Sequence, residues 1–131
     1  LWGAAQREVL IHTSDADTSR AAPLRERGAQ LVALPNAQGK VDLAALLRDL
    51  AAREVNKVHV EAGHKLNGSL LREGLVDELL LYQAPRLLGE GAGIAALGPF
   101  TAVEQALALE WTEIVRVGPD LRLRARLGHQ R

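Results

Sequence analysis

Along the chain, short apolar runs alternate with stretches whose apolar side chains recur every three or four positions. Residues 8–12 (EVLIH) are aliphatic and β-branched and predict a buried strand. Residues 19–27 predict a short helix stopped by Gly28, with Pro23 early enough for its missing N–H to be tolerated. Residues 30–34 (QLVAL) predict a second strand closed by Pro35, and residues 36–40 a loop. Asp42 stands where a cap is needed for a helix over 43–53, in which Leu43, Leu46, Leu47 and Leu50 share one face. Residues 57–61 (KVHVE) predict a third strand, and residues 65–73 a helix stopped by Gly74. Residues 78–83 (ELLLYQ) predict a fourth strand ended by Pro85. Leu66, Leu70 and Leu71 are expected in the core.

The last third reads differently. Residues 88–100 carry Gly89, Gly91, Gly93, Gly98 and Pro99 and predict a loop. Residues 107–117 and 121–127 are strand-like runs around Gly118-Pro119-Asp120. In the second, Leu121, Leu123, Ala125 and Leu127 alternate with Arg122, Arg124 and Arg126. A period of two marks a half-exposed strand, with the arginines as its solvated face. Strands alternating with helices and followed by a hairpin predict an α/β, three-layer fold. Its sheet is expected to be mainly parallel, with helices on both faces and a C-terminal antiparallel hairpin.

A chain of 131 residues with 47 % hydrophobic residues fits one domain with one core, residues 1–131. Lys and Arg number 16, as do Asp and Glu, so no basic excess points to nucleic acid. No apolar run approaches the roughly 18 residues of a membrane span, and no signal-peptide pattern opens the chain. Membrane association is therefore not expected, and a cytoplasmic location fits. The absence of cysteine excludes disulfides, thiolate-bound zinc, a cysteine nucleophile and a zinc nucleobase deaminase site. No metal site is expected. The chain opens Leu1-Trp2-Gly3 and contains no methionine. This leads to the expectation that sequence is missing upstream.

The chemistry concentrates between residues 57 and 89. Strand 57–61 runs into Ala62-Gly63-His64, and a helix then begins. Ligands of open parallel sheets bind beyond the carboxyl ends of the strands. A helix N-terminus offers unpaired N–H groups and partial positive charge to phosphate. Gly63 has no Cβ to hold the backbone away from such a group. Glu61, at the strand end, would face the same crevice. The plainer readings stay open at this point. A glycine after a strand also serves as a simple turn, and there is no G-x-G-x-x-G. Glu61 can be a surface carboxylate, His64 a turn residue, and Asp77 and Glu78 solvated charges beside a strand.

A resemblance narrows these alternatives. It rests on Glu61-Ala62-Gly63, Leu66, Gly68, Leu70-Leu71, the run from Gly74 through Leu79, Ala84-Pro85 and Leu87-Leu88-Gly89. This segment of about 33 residues resembles the reductase domain of the bacterial riboflavin-biosynthesis deaminase/reductase, a domain similar in fold to dihydrofolate reductase. The likeness continues more loosely through Gly98-Pro99-Phe100 and Val117-Gly118-Pro119-Asp120-Leu121. Over residues 1–56 only the order of elements agrees.

The resemblance implies NADPH-dependent reduction of a ribosylamino-pyrimidine phosphate to its ribitylamino product. It implies that Gly63, His64, Lys65 and Leu66 bind the cofactor phosphates, with Glu61 beside substrate and nicotinamide as the catalytic residue. Thr13, at the end of the first strand, is placed at the nucleotide crevice. Where the family has Gly or Ala and then Pro or a small residue after the glutamate turn, this chain has His64-Lys65, and Lys65 can help neutralise phosphate. The resemblance also implies a homodimer. Finally, it places the substrate-phosphate arginine and the nicotinamide loops before Leu1, so that the isolated chain would bind weakly. The alternative is a non-catalytic nucleotide-binding or dimerisation module of the same fold.

Overall fold

A computed structural model describes residues 8–17 and 19–128; Leu1-Trp2-Gly3 lie outside the described residues. The chain divides into two compact units, residues 1–59 and 60–131.

In the first unit, β1 (Val9–Thr13) and β2 (Ala29–Ala33) pair in parallel, from Val9 opposite Ala29 to Thr13 opposite Ala33. Parallel neighbours require a crossover, which here carries α1 (Ala21–Glu26). Ala21 and Ala29 are buried. After β2, Asn36 Oδ1 accepts the amides of Gln38 and Lys40, an arrangement that shapes the expected loop. Asp42 then caps α2 (Leu43–Ala52), its side chain accepting the Ala45 amide at 2.7 Å, as the sequence predicts. His12 Nε2 on β1 lies 2.9 Å from Asp49 Oδ2 on α2, and Arg53 Nε donates to the same oxygen at 2.9 Å. Hydrogen bonds from His12 first, then Arg53, hold the Asp49 carboxyl below the usual carboxylate range.

The second unit contains α3 (His64–Arg72), β3 (Glu78–Gln83), a 3₁₀ turn (Val103–Gln105), β4 (Leu109–Val117) and β5 (Asp120–Leu127). The three strands form an antiparallel sheet in the order β3-β5-β4. The β4–β5 hairpin closes through Gly118-Pro119. Gly118 takes φ +60°, which suits a two-residue hairpin turn whose twist matches that of the strands. Alternation on β5 separates its faces. Ala125 is fully buried. On the other face, Arg122 Nη2 pairs with Glu113 at 2.6 Å and Arg124 Nη2 with Glu78 at 2.7 Å. The arginine face is thus braced across strands rather than merely solvated, and Glu78 is one of its partners. The hydrogen bond and charge of Glu113 raise the Arg122 pKa further above its ordinary value.

Among the described residues, the three α-helices each end on a left-handed residue. Gly28, Glu54 and Gly74 take φ of +85°, +64° and +66°. After α2, the Glu54 amide donates to Ala51 O and the Val55 amide to Leu50 O. After α3, the Gly74 amide donates to Leu71 O and the Leu75 amide to Leu70 O. Both are two-bond C-terminal caps that satisfy carbonyls the helix leaves unpaired.

The α/β class, the parallel pair and the C-terminal hairpin agree with the sequence reading. Residues 57–61 differ. They carry no regular secondary structure and are exposed, with Val58 at 42 % and Val60 at 46 %. The V-H-V alternation supplies strand propensity, but a strand forms only beside another strand, and among the described residues no strand pairs with this segment. The fourth predicted strand, β3, joins the antiparallel sheet through β5. In α3, Leu70 and Leu71 are buried as expected, whereas Leu66 is 42 % exposed and does not belong to the core. Leu66 lies in the first turn of the helix, one turn ahead of Leu70.

Candidate functional site

The site is built on the start of α3. Gly63 is the residue before the helix, in extended conformation at φ −75°, ψ 164°, and no side chain caps the helix there. The first helical carbonyl bond runs from the Asn67 amide to Gly63 O at 3.1 Å, so the amides of His64, Lys65 and Leu66 precede the helical ladder. Uncapped leading amides and the helix dipole together favour an anion.

A surface hollow of about 310 Å³ opens at this point, lined by Gly63, His64, Lys65 and Leu66. The four residues assigned to cofactor phosphate thus line one concavity. His64 is half-buried, while Lys65 and Leu66 are exposed.

The glycine is informative here. Its φ is one that any residue adopts, and a Cβ built on Gly63 meets no protein atom within 4 Å. Neither backbone conformation nor packing demands glycine at 63. A Cβ at 63 would meet open space.

Glu61 stands two residues before Gly63 in the exposed irregular segment, outside the residues that line the hollow. The structure does not put it at a strand end. Thr13 belongs to the first unit, at the end of β1. Its hydroxyl donates to Asp15 O at 2.9 Å and accepts the Asp15 amide at 3.2 Å, which makes it part of a local turn. Among the described residues, no group of three His, Cys, Asp or Glu could hold a metal ion. No helix is long and apolar enough to cross a membrane, again among the described residues.

Sequence reasoning missed the support behind the hollow. Asn67 Nδ2 donates to Ala62 O at 3.2 Å and to Ile94 O at 3.0 Å. The Ala96 amide donates to His64 O at 2.8 Å, and Arg72 Nη1 donates to Ala96 O. A Cβ on Gly68 would lie 2.7 Å from the Ala96 carbonyl carbon and amide nitrogen. The only trace in the sequence is Gly68 itself, a helical glycine where alanine would serve the helix better.

Comparison with known proteins decides the family. The RibD C-terminal domain family matches residues 1–123. The chain belongs to the RibD C-terminal domain family. Riboflavin biosynthesis protein RibD of Escherichia coli K12 is 42 % identical over 89 residues, covering 67 % of this chain and 24 % of that protein. The 5-amino-6-(5-phosphoribosylamino)uracil reductase of Buchnera aphidicola subsp. Acyrthosiphon pisum is 36 % identical over 85 residues. That match covers 64 % of this chain and 41 % of that protein. The chain therefore spans less than half the length of these curated relatives. Among solved structures, Acinetobacter baumannii RibD (form 2) superposes with a TM-score of 0.68 at 28 % identity, over 82 % of this chain and 29 % of that one. The fold is that of RibD-like reductases, and the relatives are riboflavin-biosynthesis proteins that include a named pyrimidine reductase.

Proposed function

We propose that residues 1–131 are the later part of a pyrimidine reductase domain. In this reading the domain reduces a 5-amino-6-(5-phosphoribosylamino)uracil-type phosphate to its ribitylamino product with NADPH. The observation that carries the reading is the hollow at Gly63–Leu66, whose glycine is required by neither backbone conformation nor packing. When bound, the nicotinamide cofactor supplies the hydride for the reduction. The chain's own residues do the placing. The leading amides of α3 hold the diphosphate and Gly63 admits it to the backbone. Lys65 adds positive charge beside the amides, and His64 offers a ring N–H. Leu66 offers an apolar wall, and Thr13, in the first unit, is a proposed nucleotide contact. Glu61 orients substrate hydroxyls or relays a proton beside the reacting carbon.

The reading carries a homodimer and a small-molecule substrate, with neither nucleic acid nor membrane as partner, and a cytoplasmic location. The homodimer is supported by Trp111 and Ile114, which lie opposite Ala125 and Leu123 on one face of β4 and are 50 % and 58 % exposed.

Titration with NADPH of a chain extended through the whole reductase domain, followed by nicotinamide fluorescence, tests the proposal. Saturable binding that inorganic pyrophosphate competes away is the expected result, and no saturable binding overturns it. NADPH binding without pyrimidine turnover in a chain extended through the whole reductase domain would favour the non-catalytic module instead.

A further inference from the structure

Ile94, 27 residues after Asn67, begins a segment that backs the hollow. Residues 94–96 lie along α3, and main chain meets main chain there. The Ala96 amide donates to His64 O at 2.8 Å, and Arg72 secures the Ala96 carbonyl from the far end of the helix. The approach is possible because residue 68 is glycine; a Cβ there would overlap the Ala96 main chain. Asn67 joins this strap to the turn ahead of the helix. Its single amide group donates to Ile94 O at 3.0 Å on one side and to Ala62 O at 3.2 Å on the other. Ala62 immediately precedes Gly63, so the bond fixes the peptide that leads into the hollow.

We infer that Asn67 is a positioning residue, whose side-chain amide holds the Ala62–Gly63 turn against the 94–96 strap and so sets the direction in which the leading amides of α3 face the anion. It does not line the hollow and acts through the main chain on either side. This rests on the proposed reading of the hollow as the diphosphate site. An amide is suited to the task because its two N–H donors can satisfy two carbonyls at once. Alanine removes both bonds while improving helix propensity, so α3 is retained. Aspartate keeps the shape and removes the donors.

The experiment combines hydrogen exchange with NADPH binding and turnover, in a chain extended through the whole reductase domain, on wild type, Asn67→Ala and Asn67→Asp. Exchange at residues 62–66 and 94–96 is expected to quicken at least about fivefold in both variants. NADPH affinity is expected to fall roughly tenfold in Asn67→Ala, the equivalent of one hydrogen bond to a charged group made with poor alignment. In steady state, the loss should sit in KM for NADPH with kcat within twofold. Unchanged exchange at residues 62–66 in both variants would overturn the inference. So would NADPH affinity within twofold of wild type, or a parallel fall of kcat and thermal midpoint, which would mark a merely structural role. A wild-type chain that fails to bind NADPH defeats the diphosphate reading instead, and the exchange data then decide by themselves whether Asn67 sets the turn.

Discussion

Replacing Gly63 by alanine separates what the protein needs at that position from what a ligand needs. For folding, two effects oppose each other. Alanine stiffens the unfolded chain and stabilises by roughly 0.4–1 kcal/mol where the native φ and ψ suit it, as φ −75°, ψ 164° does. At the residue before a helix, alanine is a poorer cap than glycine by a few tenths to about 1 kcal/mol. No protein atom lies within 4 Å of the new Cβ, so no steric cost is added. The net change in stability should stay within about 0.5 kcal/mol of zero, read from urea midpoints at constant slope. Binding should behave differently. The methyl group would enter the hollow and lift phosphate off at least one backbone amide. A hydrogen bond to a charged group is worth about 1.5–3 kcal/mol, so NADPH affinity should fall roughly 10- to 100-fold. NADPH fluorescence titrations of wild type and Gly63→Ala at equal ionic strength provide the assay. A variant that binds NADPH as tightly as wild type would refute the reasoning, because it would show that the ligand does not approach the main chain at 63.

Three further outcomes follow from the same geometry. Glu54→Gly should stabilise the chain by about 0.7 kcal/mol and raise Tm by roughly 2–3 °C, since Glu54 holds a left-handed φ of +64° that costs a side chain about 1 kcal/mol or more; an unchanged or lower Tm would count against the cap assigned to α2. The Asp49 carboxyl is held below its ordinary pKa of 3.8, so its contribution to stability is fully present above that value and is lost as pH falls through the lower folded value. Asp49→Asn should therefore flatten the loss of stability below about pH 4, and acid unfolding curves that coincide with wild type would exclude the His12–Asp49–Arg53 network as a source of it. In a chain extended through the whole reductase domain, Glu61→Gln should lower turnover by ~10²-fold, and a change within twofold would remove Glu61 from direct catalysis.

Elements whose causes are local were legible in the sequence. Asp42 announced its helix because a carboxylate three residues before an uncovered amide is a complete structural unit. Gly28 and Gly74 marked helix ends because they take the left-handed conformation without a Cβ penalty. Glu54 does the same work after α2 with no signal that a reader could use. The alternation on β5 placed Ala125 inside and the arginines outside, but it could not name Glu113 and Glu78 as their partners, which lie on other strands. Strand propensity misled at residues 57–61, where pattern alone cannot supply a neighbour to pair with. Leu66 was misplaced because spacing alone does not separate a core leucine from one that walls a hollow. Within the site, the turn at Gly63–Leu66 was readable from chain order. Asn67 was not, because its two acceptors lie 5 residues before it and 27 residues after it.

The backbone amides that open α3 are where cofactor and protein are expected to meet. An NADPH titration of isotopically labelled protein, followed by amide nitrogen–proton NMR, reads them one by one. The predicted result is saturable downfield movement of the His64, Lys65 and Leu66 amides, with the Gly63 signal moving alongside them. Saturable binding that leaves those four signals in place while others move would contradict it.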